Sequence, residues 1–298
     1  MIWQKIKNRI NREVLDPTRV GVLDQFMSTV RKYEYRNQNY RPVFIAGTTG
    51  GGTTVLAMLM RQNLLTAGLV AESALQLPPR SPLRINPMKK YKSILDYRKG
   101  IDIPENCSKQ DARKDYLEMY RIHTRHPVKN IIDKGPNVNL VRAEFLQQCF
   151  PDSLFILLLR DPVACIEGMR RKWPLFGNAP LHKAIDFYED IHTKFLESAD
   201  NNKINAILVE YKELVCNSDS TLNYICKHGK LILGETESYY EERPNRQGQG
   251  VRNVTNGKVK VVHDADSKAY AKMTDEDIDM IKNRLDPLSS SILGLLKK

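Results

Sequence analysis

The fold is decided by the stretch Val43–Leu56, which reads VFIAGTTGGGTTVL. The apolar run Val43–Ala46 predicts a buried β-strand, and Thr53–Leu65 carries apolar residues at helical spacing. Between them lies a loop with three consecutive glycines, whose backbone N–H groups can turn inward because no Cβ is in the way. The following helix directs its positive end at the same place. We therefore predict that this loop binds the phosphate of a nucleotide.

The side chains of the loop narrow the kind of nucleotide. A nucleoside-triphosphate P-loop has a lysine after its last glycine, where it reaches the terminal phosphates. This chain has Thr53 at that position, so a kinase or ATPase would lack its main positive contact to the transferred group. A nucleotide kinase is therefore only a third alternative. The predicted phosphate-binding residues of the loop are Thr48, Thr49, Gly50, Gly51, Gly52, Thr53 and Thr54.

The rest of the chain alternates between strand and helix patterns. Leu154–Leu159 is continuously apolar, which is typical of a central parallel strand covered on both faces. Alternating strands and helices predict an α/β fold with a parallel sheet and ligands at the carboxyl ends of its strands. No repeat or low-complexity linker divides the chain. We predict a single domain over residues 1–298, with a helical lead-in at 1–40. Further helices are predicted at Ser108–His126, Asn137–Cys149, Asp186–Ala199, Ser220–Lys227 and Thr274–Leu285.

Charge and composition restrict the partners. The net charge of +11 suits an anionic ligand, nucleic acid or an anionic membrane surface. Nucleic acid ranks last because no recognition module is present. No apolar run reaches the roughly 20 residues of a membrane-spanning helix, which leaves only peripheral membrane contact open. Basic residues and prolines alternate around Arg80–Arg98, which predicts an exposed, Pro-rich lid or insertion at 78–105.

The five cysteines of the chain are scattered without the spacing of metal ligands. Their odd number favours free thiols in a reducing compartment. We therefore expect a cytoplasmic location and no bound metal.

Three more stretches join the glycine loop in a family resemblance. They read IIDKGP at Ile131–Pro136, CFPDSLFILLLRDP at Cys149–Pro162 and VEYKELV at Val209–Val215. Together with Phe44–Leu56, they resemble four motifs of sulfotransferases that use 3′-phosphoadenosine 5′-phosphosulfate, in the same order. Those motifs are G-x-x-R-S-G-T-T-L-L, L-K-x-P, F-P-D-A-x-F-I-x-x-x-R-D-P and Y-E-D-L-V. The resemblance covers about residues 44–215.

The resemblance implies a three-layer sandwich with a central parallel sheet, the fold of P-loop-containing nucleotide hydrolases. It also implies transfer of a sulfuryl group to a hydroxyl or amine of a small-molecule, glycan or lipid-like acceptor. Lys134 matches the lysine that contacts the sulfuryl group or 5′-phosphate, and Glu72 lies where some members place a catalytic glutamate. Arg160 matches the 3′-phosphate arginine, and Arg252 falls in a loop that resembles the one closing over the nucleotide.

The residues themselves support some of these roles and leave alternatives. Arg160 ends a buried apolar strand, where a guanidinium needs an anion; an ion pair with Asp161 or another carboxylate is the alternative. For Lys134 the alternative is a solvated surface lysine. His123 and His126 are rivals to Glu72 as the base.

Three positions depart from the family pattern. Gly50 replaces the basic residue of the loop and Gly51 its serine, while Gly168 replaces a serine that helps to hold the 3′-phosphate. The second hypothesis is therefore a catalytically impaired protein that binds a nucleotide or partner. The acceptor pocket is expected between the Pro-rich lid, the helix at Ser108–His126 and the loop at Trp173–His182.

Overall fold

The computed structural model describes residues 39–69, 72–123, 129–234, 254–255, 258–259 and 265–296. Its strands are β1 (Arg41–Ala46), β2 (Ala67–Gly68), β3 (Asn130–Lys134), β4 (Leu154–Leu159), β5 (Ala206–Glu210), β6 (Val254–Thr255) and β7 (Lys258–Val259). The first five form one sheet in the order β2-β3-β1-β4-β5, and all its neighbouring strands are parallel. Strands β6 and β7 form a separate antiparallel pair. The predicted lead-in at 1–40 lies almost wholly outside the described residues.

Helices follow nearly every strand. They are α1 (Thr53–Asn63), α2 (Ser73–Gln76), α3 (Ile94–Gly100), α4 (Lys109–His123), α5 (Val138–Val141), α6 (Ala143–Cys149), α7 (Pro162–Lys172), α8 (Pro174–Gly177), α9 (Leu181–Asp200), α10 (Tyr211–Cys216), α11 (Ser218–Gly229), α12 (Ala265–Tyr270) and α13 (Asp275–Leu296). Among the described helices, none is both long enough and apolar enough to span a bilayer.

The sheet is covered by apolar side chains on both faces. Phe155 of β4 stacks on Phe44 of β1 at 4.9 Å between ring centroids, in the cluster that also contains Phe195 of α9. Its neighbour Ile156 points to the opposite face and belongs to the cluster that contains Leu56 of α1. Because successive side chains of a strand alternate between faces, a fully apolar β4 requires a layer of helices on each side. The predicted three-layer α/β sandwich is confirmed.

The order of the strands brings the carboxyl ends of several strands together at one edge of the sheet. Strand β1 lies between β3 and β4, with Ile45 opposite Lys134 and Ala46 opposite Leu157. The carboxyl ends of these three strands therefore lie side by side, and Arg160 follows β4 directly. Connections leave β1 and β4 toward different sides, so the crevice between them is the place where ligands bind in open parallel sheets.

The Pro-rich segment at 78–105 has an exposed middle, since none of residues 86–96 is buried, but a buried arginine ties its two flanks to the core. The side chain of Arg142 is 1% exposed. It donates hydrogen bonds to the backbone oxygens of Leu83 at 2.7 Å, Ile101 at 2.7 Å and Asp102 at 3.1 Å. The prolines and charges indicated exposure, which holds for the middle, whereas Leu83, Ile85, Tyr97 and Ile101 of the flanks are buried in the core.

Arg142 also divides a predicted helix. Instead of one helix at Asn137–Cys149, the chain forms α5 and α6, with Arg142 between them at φ −102° and ψ 10°. The change of direction places its guanidinium among carbonyl groups that need donors. The helix predicted at Thr274–Leu285 is longer than expected, since α13 continues through Pro287 to Leu296.

Candidate functional site

The glycine loop Gly47–Gly52 joins β1 to α1. Gly50 and Gly52 have φ of 95° and 91°, values that residues with a Cβ rarely adopt. A Cβ on Gly52 would also lie 2.4 Å from the ring of Tyr211. Among the described residues, no side chain caps the start of α1. The amides of Thr53 and Thr54 are therefore available to an anion, whereas that of Val55 donates to Gly52 O at 2.9 Å.

Asn137 holds the loop in place, and the sequence analysis did not single it out. Its Nδ2 donates to Thr49 Oγ1 at 3.0 Å and to the Tyr97 hydroxyl at 3.1 Å, while its Oδ1 accepts from Thr49 N at 3.0 Å. Its own amide donates to Gly47 O at 2.9 Å. Asn137 has φ 65° and ψ −48°, a positive φ that is uncommon for a residue with a Cβ. The signal in the sequence that could have pointed to this role was an asparagine directly after Gly135-Pro136.

The four threonines of the loop have different surroundings. Thr48 and Thr53 are buried at its base, and Thr48 O accepts the amide of Gly51 at 2.9 Å. Thr49 is bound by Asn137, as described above. Thr54 is half-buried at the start of α1, where its hydroxyl accepts a hydrogen bond from Lys134 Nζ at 3.3 Å.

Lys134 links the loop to Glu72. It is the last residue of β3, and its Nζ lies 3.6 Å from Glu72 Oε1. The side chains of Lys134 and Glu72 are 17% and 31% exposed, so both remain reachable from solvent. Burial raises the pKa of Glu72, whereas the charge and hydrogen bond of Lys134 oppose that rise. The two residues predicted to be catalytic are thus neighbours, in a setting that favours a stronger base than an ordinary glutamate.

Asp133 precedes Lys134 and therefore faces the other side of the sheet. It is fully buried, and its Oδ2 accepts a hydrogen bond from the Tyr120 hydroxyl at 2.8 Å. Burial raises the pKa of Asp133 to about 6. These contacts give Asp133 a structural position away from the loop. His126 and the side chain of His123 lie outside the described part of the chain.

Arg160 contacts the loop but is paired with a carboxylate. Its Nη1 donates to Gly50 O at 2.6 Å, and its guanidinium lies 4.4 Å from the ring centroid of Tyr211. The ion pair is with Asp266 of α12, at 2.6 Å from Arg160 Nη2. Asp161 instead accepts from Ala164 N at 3.0 Å and caps α7. Arg160 therefore forms the ion pair that was the alternative to an anionic ligand, and its partner is Asp266 rather than Asp161.

Two of the three departures from the family pattern, Gly50 and Gly168, contact each other. A Cβ on Gly50 would lie 3.0 Å from Cys165 O, and one on Gly168 would lie 3.3 Å from Gly50 Cα. The backbone of the loop therefore rests directly on α7. A side chain at either position would push the loop and the helix apart, so the two glycines are one structural feature.

A family model described as the sulfotransferase family matches residues 42–233. The chain belongs to the sulfotransferase family. A sulfotransferase domain from the curacin biosynthetic pathway shares the fold, with a TM-score of 0.50 and 15% identity over 84% of this chain and 99% of that one. A search of curated proteins finds no match.

Two further solved sulfotransferases resemble the chain more loosely. One, from Mycobacterium avium, has a TM-score of 0.49 and 11% identity over 90% of this chain and 81% of its own. The other, from mouse and complexed with PAP, has a TM-score of 0.45 and 11% identity over 90% of this chain and 94% of its own.

A cleft of about 840 Å³ lies between the segment after Met88 and the one after Trp173. It is lined by apolar residues such as Tyr91 and Phe187, whose rings lie 5.2 and 5.7 Å from that of Tyr97. Tyr97 in turn contacts Asn137 at the loop. Two of the three segments predicted to form the acceptor pocket thus line one cleft of this sulfotransferase. Arg252 lies outside the described residues.

Proposed function

We propose that the chain transfers a sulfuryl group from 3′-phosphoadenosine 5′-phosphosulfate to a hydroxyl or amine of a small-molecule, glycan or lipid-like acceptor. One observation carries this proposal: Lys134 contacts both Thr54 in the glycine loop and Glu72. A single cation therefore lies between an anion-binding helix end and a candidate base. Transfer of an anionic group needs both charge stabilisation and proton removal at one place.

The residues present fit such a donor. The uncapped start of α1 and the Thr54 hydroxyl suit the 5′ end, and Arg160 at the end of β4 suits the 3′-phosphate. Thr53 in place of a lysine agrees with a donor whose reacting group is not a terminal phosphate. When bound, the nucleotide supplies an activated sulfuryl group attached to its 5′-phosphate. Arg252 stays a predicted contact to the nucleotide.

Each catalytic candidate has one task. Glu72 accepts the proton of the acceptor hydroxyl or amine, and its raised pKa makes it a better base than a solvated glutamate. Lys134 donates a hydrogen bond to the oxygen on which negative charge develops. The Glu72–Lys134 contact keeps the carboxylate ionised and in place until the acceptor arrives.

Lys134→Ala tests the proposal. We expect transfer of labelled sulfate from the donor to a panel of acceptors to fall about a hundred- to a thousandfold, because one charge-stabilising donor is lost. Thermal unfolding should be nearly unchanged, since Lys134 is partly exposed. Lys129→Ala is the matched control, an exposed lysine just before β3 that should keep wild-type activity. Wild-type turnover of Lys134→Ala would remove Lys134 from the mechanism.

A second candidate is a protein that binds the nucleotide or a partner without transferring sulfate. The ion pair of Arg160 with Asp266 favours this candidate, because the side chain expected to bind the 3′-phosphate is already paired with a carboxylate. Calorimetric binding of adenosine 3′,5′-bisphosphate with no transfer to any acceptor would support this candidate. Stabilisation by ATP and magnesium, but not by the bisphosphate, would instead favour a kinase.

A further inference from the structure

Helix α7 carries a lysine one turn beyond its contact with the glycine loop. Gly168 touches Gly50, and Lys172 follows four residues later on the same face of the helix. Side chains of a helix lean toward its N-terminus, so residue 172 covers the patch over Gly168. Gly168 contributes no side chain to that patch. From this position on α7, we expect the stem of Lys172 to extend along the helix toward the loop.

The basic residues around Lys172 differ in their partners. Arg171 Nε lies 2.7 Å from Glu167 Oε1, and Lys272 Nζ lies 3.6 Å from the same oxygen. Arg160 pairs with Asp266. Lys172, in contrast, forms no ion pair with any carboxylate of the described residues.

The electrostatic surroundings of Lys172 suit an anionic ligand. Burial lowers the pKa of Lys172, and the positive charges of Arg171 and Arg160 lower it further, while the negative charge of Glu167 opposes this fall. Arg160 donates to Gly50 O, and Gly50 rests on Gly168 one turn before Lys172, so both cations lie next to the contact between the loop and α7. A phosphate bound between them would offset both the mutual repulsion and the loss of hydration.

We propose that Lys172 binds the 3′-phosphate of the donor nucleotide together with Arg160. It thereby replaces the 3′-phosphate contact that the family pattern assigns to the side chain absent at Gly168. This inference rests on the proposed function, since it presumes a nucleotide with a 3′-phosphate.

Calorimetry with two nucleotides tests the inference. Lys172→Gln should weaken binding of adenosine 3′,5′-bisphosphate about ten- to a hundredfold, because a charge-assisted hydrogen bond is lost. Binding of adenosine 5′-monophosphate should change less than about twofold. Lys172→Arg should keep most of the affinity for the bisphosphate. Arg171→Gln is the matched control, with the same charge change on the adjacent, exposed residue.

The outcomes separate the two proposals. If the wild-type protein prefers the bisphosphate and Lys172→Gln keeps that preference, the inference about Lys172 is wrong and the proposed function survives. If the wild-type protein does not distinguish the two nucleotides, both are wrong. Equal losses in Lys172→Gln and Arg171→Gln would also overturn the inference, since they would reflect net charge alone. Lys172→Met, which keeps the apolar stem, replaces the glutamine variant if that variant unfolds.

Discussion

At the scale of single residues, Arg160 has a carboxylate where a nucleotide phosphate is expected. Asp266 is 36% exposed, so the ion pair is partly solvated and can be displaced. Asp266→Asn removes the competing charge and leaves the guanidinium free for phosphate. We expect this variant to bind adenosine 3′,5′-bisphosphate about two- to fivefold more tightly than the wild-type protein in calorimetric titrations.

Asp200→Asn is the control for this prediction. Asp200 is exposed at the end of α9, shortly before β5 begins, and so lies at the edge of the sheet opposite the loop. Asp200→Asn makes the same change in net charge and should leave the affinity for adenosine 3′,5′-bisphosphate unchanged. Weaker binding by Asp266→Asn would show instead that the carboxylate positions Arg160 for the nucleotide.

The sequence could place some of these residues and not others. Lys134 and Arg160 end or follow apolar strands, so an α/β pattern brings them to one edge of the sheet. Asp266 lies 106 residues after Arg160, in a helix with no recognised motif. No periodicity or spacing relates two such positions, so their pairing could only be seen in the folded chain.

At the scale of elements, the glycine loop depends on the turn between β3 and α5. Asn137→Ala removes the side-chain bonds to Thr49 and Tyr97 and places an alanine at φ 65°. We expect the free energy of unfolding to fall by about 3 kcal/mol, since buried polar groups lose their partner and the backbone is strained. Urea unfolding with an unchanged m-value measures this loss.

Asn202→Ala separates the two causes. Asn202 has φ 54° but is exposed in the turn after α9. Its replacement should therefore cost only the backbone strain, about 1 kcal/mol. Equal losses in the two variants would mean that the hydrogen bonds of Asn137 contribute little to stability.

Elements with a strong local pattern were predictable, and those held by distant contacts were not. Ser108 predicts the start of α4, and its hydroxyl does accept the amide of Asp111 at 3.0 Å. The buried flanks of the segment at 78–105 depend on Arg142, which reaches Leu83 and Ile101 from a different part of the chain. An arginine between apolar residues is typical of the exposed face of a helix. The break after α5 and the packing of that segment therefore could not be inferred from the sequence.

At the scale of the whole molecule, two buried ionisable groups on different elements give opposing pH dependences. Burial raises the pKa of Asp133 to about 6, so its stabilising contribution is complete below about pH 4 and is lost as the pH rises through 6. Burial lowers the pKa of His192 to about 4, so its contribution is complete above about pH 6.5 and is lost as the pH falls toward 4. Each contribution is about 3 kcal/mol, and the two nearly cancel.

Removing one of the two groups should reveal the pH dependence that the other gives to stability. Relative to the wild-type protein, Asp133→Asn should gain stability as the pH rises from about 4 to 7, because the loss caused by ionising Asp133 disappears. His192→Gln should gain stability as the pH falls over the same range, because no imidazole remains to be protonated on unfolding. Tyr120 still has an acceptor in Asp133→Asn, so its buried hydroxyl is not left without a partner. Urea unfolding at several pH values measures both slopes, and the double variant should regain the shape of the wild-type profile. A His192→Gln profile parallel to that of the wild-type protein would mean that His192 titrates normally in the folded state.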